Sequence, residues 1–105
     1  VGWKVRWTTP AWRDVEEQAR FIAEDSPRYA LAFQREAQVA ARSLRQFALR
    51  GRVVPERGDE RLRELIVGNG YRLIYRVAGE SEVHVIAFIH GARDLDAFFK
   101  REERI

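Results

Sequence analysis

Residues Arg61–Ile89, RLRELIVGNGYRLIYRVAGESEVHVIAFI, decide the fold. β-Branched and aromatic residues fill three runs, Arg61 to Val67, Tyr71 to Val77 and Glu82 to Ile89. The breaks between them, Gly68-Asn69-Gly70 and Ala78-Gly79-Glu80-Ser81, have the length and composition of hairpin turns, so the runs predict an antiparallel meander. With Gly68-Asn69-Gly70 as a three-residue loop, side-chain parity puts Arg63 on the face of Leu73 and Tyr75. It puts Arg72 and Arg76 together on the other face.

Upstream of the meander, Arg52 to Glu60 carries Pro55, Gly58 and Asp59 and reads as a loop. Before it, Ala30, Phe33, Ala37, Ala40, Ala41, Leu44, Phe47 and Ala48 recur at helical spacing, which predicts a helix running to about Leu49 with Gly51 as its stop. An earlier helix has Trp12, Val15, Ala19, Ile22 and Ala23 as its apolar stripe. Thr9-Pro10 reads as the N-cap and first turn of that earlier helix, and Ser26-Pro27 repeats the signal for the next one. So short a junction forces the two helices antiparallel, and their alanines permit close approach. Lys4 to Thr8 alternates like a short strand, and Asp94 is placed to cap a last helix containing Leu95, Phe98 and Phe99. Lys100, Arg101 and Arg104 suit that helix's C-terminal dipole.

The chain is thus expected to be one α+β domain over residues 1–105, in the order β-αα-βββ-α. A helical hairpin of about 10–49 packs on a small twisted, mainly antiparallel sheet of about 61–90 plus a strand at 3–8, and a short helix of about 94–103 ends the chain. At 105 residues with 46% hydrophobic content, it has material for one core and no more. The longest unbroken apolar run, Val85 to Ile89, is far below the ~18 residues of a membrane span, so a soluble, cytoplasmic chain is expected. With no Cys, disulfides, thiolate–zinc sites and thiol nucleophiles are excluded. The lack of any Met suggests that Val1 and Gly2 derive from a processed or engineered end.

The formal charge of +3 is unevenly spread: −1 over residues 1–27, +6 over 28–76 and −2 over 77–105. All eleven basic residues of the middle segment are arginine, a donor fork suited to phosphate and carboxylate, so a polyanion or an acidic protein is a natural partner. The plainer reading is that an arginine-rich surface simply reflects genome composition. His84 and His90 stand six residues apart on one strand, about 20 Å, and cannot share a metal ion. Ser26, Ser43 and Ser81 sit in no nucleophile elbow, and Gly68-Asn69-Gly70 precedes a strand where a phosphate cradle requires a helix. No cofactor is expected.

At Gly51 to Glu56, Arg63 to Gly68, Tyr71 to Arg76 and His90 to Leu95, together with the Asp25-Ser26-Pro27 junction, the chain resembles the RelE/ParE superfamily of bacterial type II toxin–antitoxin toxins. The resemblance covers nearly the whole chain. It implies a compact toxin held in check by a cognate antitoxin whose segment folds on binding. The RelE-like branch cleaves messenger RNA on the ribosome, a reaction that needs a proton acceptor, a proton donor and a cation for the phosphorane. Arg63, Arg72, Arg76, His90 and Arg93 are the candidates here, with Tyr71 and Tyr75 as possible stacking or proton-transfer groups. Against that branch, the only lysines are Lys4 and Lys100, the C-terminal segment offers Leu95, Phe98 and Phe99 where an acid or base is common, and parity separates the arginines.

The Ser26-Pro27 junction, the Gly51 to Glu56 loop and the His90 to Leu95 motif are more similar to the ParE-like branch, which poisons DNA gyrase by binding. On that reading the target-binding candidates are Arg63, Tyr71, Arg72, Arg76, His90 and Arg93. The antitoxin-binding candidates are Arg35, Arg42, Arg45, Leu95, Phe98 and Phe99. The alternatives are a RelE-like nuclease using Arg63, Arg72, His90 and Arg93, and an inactive antitoxin-binding module. Structural roles stand beside these: Glu64 pairing with strand arginines, His90 fixing the turn before Asp94, Asp94 as a helix cap, and Arg93 paired with Glu64 or Asp94.

Overall fold

In a computed structural model, which describes residues 2–104, the element order is β1 (Lys4–Trp7), α1 (Thr9–Ala23), α2 (Pro27–Ser43), β2 (Arg52–Val53), β3 (Leu62–Val67), β4 (Tyr71–Ala78), β5 (Glu82–His90) and α3 (Leu95–Glu102). The expectation for Val1 lies outside the described residues. Five strands form one sheet in the order β1-β5-β4-β3-β2, antiparallel except where β1 runs parallel to β5. Among the described residues, no helix is long and apolar enough to cross a membrane.

The meander forms with Arg63 opposite Tyr75 and Leu65 opposite Leu73, while Ile66 faces Arg72 and Leu62 faces Arg76. Both faces of this sheet are covered. Leu65, Val67, Leu73, Tyr75, Val77, Val83, Val85 and Phe88 point to the hairpin, where they meet Ala11, Val15, Ala37, Ala41 and Leu44. Leu62, Ile74, Ile86, Ala87 and Ile89 point the other way and are sealed by Val54, Leu95, Phe98 and Phe99. The pairing of β4 with β5 skips Ile86 between the Ile74–Ala87 and Tyr75–Val85 partners. The extra residue lets Ile86 and Ala87 face the same side, and the run Val85 to Ile89 is apolar throughout because both of its faces are buried.

Four local expectations are corrected. The N-cap of α1 is Thr8, whose hydroxyl accepts from Ala11 N at 3.2 Å, with Thr9 and Pro10 already inside the helix. The second helix ends at Ser43, well short of Leu49. There the Ser43 hydroxyl donates back to Ala40 O at 2.6 Å and accepts from the Arg50 guanidinium, while the Arg45 carbonyl is taken by Trp3 N at 2.7 Å. Leu44 and Ala48 are buried from a turn, and Phe47 is exposed, so helical spacing in the sequence continued beyond the helix. The loop at 52–60 begins with β2, which pairs with β3 and makes the order β-αα-ββββ-α.

Gly51 is not a helix stop. Its N–H donates to the Tyr75 hydroxyl at 2.9 Å, and a Cβ at that position would stand 2.6 Å from both Glu64 O and the Tyr75 Oη. Only glycine lets the chain cross so near the sheet. Gly51→Ala is expected to lower unfolding stability by about 1–3 kcal/mol in urea. An unchanged denaturation midpoint would contradict this close approach.

Candidate functional site

The strand arginines are held by the protein itself. Glu64, in mid-β3 and only 1% exposed, accepts from Arg72 Nε at 2.7 Å through one carboxylate oxygen and from Arg52 Nε at 2.6 Å through the other. Arg72, 5% exposed, also donates from both terminal nitrogens to Glu56 at 2.9 and 2.8 Å. That fork lowers the Glu56 carboxyl below its ordinary value and raises the Arg72 guanidinium, which stays charged. The network sews the 52–60 loop to β3 and β4. Glu64 and Arg72 can meet because both point to the same sheet face, two residues out of register across the hairpin.

Arg63 lies on the opposite face, as parity required, and is spent on backbone carbonyls: Glu60 O at 2.9 Å, Gly51 O at 2.9 Å and Leu49 O at 3.3 Å. Arg76 lies half-buried, 3.9 Å from Asp59. Arg63, Arg72 and Arg76 therefore do not converge. Arg93 pairs with neither Glu64 nor Asp94 among the described residues. Its guanidinium sits 4.7 Å over the Phe98 ring, and that of Arg104 sits 4.5 Å from the same ring.

What the structure does bring together is Tyr71 and His90, opposite each other at the end of the β4–β5 ladder. The His90 ring stands edge-on to Tyr71 with centroids 5.4 Å apart. Tyr71 stacks on Phe88 at 5.5 Å, and Phe33 from α2 meets both rings edge-on. Burial pushes the Tyr71 phenol above its ordinary range, with bonding to Gln18 partly offsetting it, so it is protonated near neutral pH. His90 also has the structural role: its Nδ1 accepts from Ala92 N at 3.2 Å and its carbonyl from Arg93 N at 3.0 Å. Asp94 caps α3, accepting from Ala97 N at 3.1 Å.

Of the expected partner surface, Leu95, Phe98 and Phe99 are core, each under 5% exposed, and help seal the far face of the sheet. A short helix at the end of a chain carries no sequence mark of which sheet face it covers. Arg35, Arg42 and Arg45 are exposed and form no ion pair among the described residues. The Asp14–Arg104 pair escaped the sequence reading. Arg104 donates to both Asp14 oxygens, at 2.5 and 2.9 Å, and to Ile86 O, while Asp14 accepts from Phe88 N; ninety residues separate the two side chains. The described residues hold no group of three or more His, Asp or Glu placed for a metal ion.

Residues 5–95 match the family described as "ParE toxin of type II toxin-antitoxin system, parDE". Among solved structures, "Chromosomal ParDE TA system from P. aeruginosa" is similar in fold, with a TM-score of 0.68 and 20% identity, covering 84% of this chain and 95% of that one. No curated protein is similar enough to count as a match.

The Glu56 contact sets a pH dependence. A carboxyl held below its ordinary value, near 4.5, contributes fully above that value and loses its contribution as the pH falls through the lower folded value. Denaturant midpoints taken from about pH 7 down to about pH 3 should fall more steeply below the ordinary value in the wild type than in Glu56→Gln. Parallel curves would show that Arg72 does not hold Glu56.

Proposed function

The chain belongs to the ParE toxin family of type II toxin–antitoxin systems, and from that premise we propose that it arrests growth by binding DNA gyrase and is neutralised by a cognate antitoxin. The observation that supports binding over RNA cleavage is the internal use of Arg63, Arg72 and Arg76. Cleavage by a ribose 2′-hydroxyl needs a base, an acid and a cation around one phosphate. The Tyr71 phenol, held protonated, is no base near neutral pH, and the nearest candidate cation in sequence to His90, Arg93, lies over Phe98. A protein that poisons by contact needs only shape and charge.

Neutralisation follows the charge distribution. The +6 segment from residue 28 to residue 76 contains the exposed Arg35, Arg42 and Arg45, which suit an acidic antitoxin segment ordering itself on the toxin. Gyrase as target places the action in the cytoplasm.

Purified chain incubated with gyrase and supercoiled DNA should trap cleaved DNA–gyrase complexes, and it should leave messenger RNA on translating ribosomes intact. Cut messenger, abolished by His90→Ala, would overturn the proposal in favour of a nuclease. Antitoxin binding without either effect would leave an inactive module. The antitoxin complex should weaken as salt rises, and an affinity indifferent to salt would contradict the arginine contacts.

A further inference from the structure

A groove of about 610 Å³ opens between the hairpin junction and the β3–β4 turn, on the far side of Tyr71 from the ion network. The last turn of α1 contributes Phe21, the junction after it Asp25, and one face of α2 Tyr29, Phe33 and Glu36 at steps of four and three residues. Val67 to Asn69, Tyr71 and His90 form the opposite wall. Phe33 and Tyr71 are anchored in the aromatic cluster and make a firm floor. Tyr29 and Phe21 stand up at the rim, 72% and 66% exposed, and Tyr29 is the most exposed large apolar side chain among the described residues. Two aromatic rings left in water beside an aromatic floor make a recess with room for the side chains of a short peptide segment.

The charge of this recess runs against that of the chain. Its lining includes Asp25 and Glu36 and neither lysine nor arginine, although the chain has 19 basic residues. Neither carboxylate is ion-paired among the described residues. Glu36 leans over the turn at Gly68, where a Cβ would stand 2.8 Å from its Oε2, and Gly68 has a φ of 54°. The turn therefore leaves space for that carboxylate at the groove wall. Unpaired carboxylates repel phosphate, which disfavours a nucleotide or RNA occupant, and exposed tyrosine and phenylalanine faces attract a cation.

We propose that this groove docks a protein segment presenting an apolar or aromatic side chain next to a lysine or arginine. The apolar group enters between Tyr29 and Phe21 onto the Phe33–Tyr71 floor, and the cation meets Asp25 and Glu36. The site is chemically opposite to the exposed Arg35, Arg42 and Arg45, so the toxin carries two recognition surfaces of different sign. The inference rests on the groove alone and stands whether or not gyrase is the target.

The test is nuclear magnetic resonance titration of the ¹⁵N-labelled full chain with two end-blocked peptides, Lys-Leu-Trp-Lys and Glu-Leu-Trp-Glu, and with a single-stranded oligouridylate. The basic peptide should shift the backbone amides of Tyr29, Gly68, Asn69 and Tyr71. The double variant Asp25→Asn with Glu36→Gln should weaken it about threefold to tenfold, and Tyr29→Ala should weaken it in a fold whose other amides are unmoved. The acidic peptide and the RNA should leave the groove amides in place. The proposal is overturned if either of those binds the groove as well as the basic peptide does, if the basic peptide's shifts map elsewhere, or if the double variant binds it unchanged.

Discussion

Glu64 is a carboxylate with almost no contact with water, in the middle of a β-strand that faces a hydrophobic layer. Removing such a group from water costs several kcal/mol unless its lone pairs are met by charged donors. Arg72 and Arg52 supply them, and Arg72 then reaches Glu56. This chain of contacts determines the path of residues 52–60, gives the two-residue strand β2 a partner, and takes from the surface an arginine that would otherwise be free to meet a phosphate. Arg72 is thereby held inside the fold, between Glu64 and Glu56.

A second tie works across the sheet. The guanidinium groups of Arg93 and Arg104 both stand against the Phe98 ring, and Arg104 reaches over to Asp14 on α1. The C-terminal helix is thereby bound to the N-terminal hairpin, and the sheet is closed on both faces by elements from opposite ends of the chain. With both faces covered, exposed aromatic groups lie at the ends of the strands and the junction of the helices, where Tyr71 and His90 meet the hairpin.

The meander, its register and the helical hairpin were legible because period-two and period-3.6 patterns and the Ser26-Pro27 junction are local signals. The end of α2 was not: Leu44 and Ala48 keep helical spacing because they are buried, and a turn buries them as well as a helix would. The strand β2 was hidden because two residues carry no pattern, and its existence depends on β3 and the Glu64–Arg52 contact. For the site, parity was enough to separate Arg63 from Arg72. The burial of Leu95, Phe98 and Phe99, the Asp14–Arg104 pair and the aromatic groove depend on contacts between distant segments, to which a sequence pattern is blind.

Arg72 and Glu64 serve each other as buried partners. A double-mutant cycle measured by urea unfolding, with Glu64→Gln, Arg72→Gln and both together, tests this most directly. The account predicts two costly single changes and a double change costing much less than their sum, a coupling of about 0.5–3 kcal/mol. Costs that add to within about 0.5 kcal/mol would show the two side chains to be independent, and would return Arg72 to the list of residues available to a substrate.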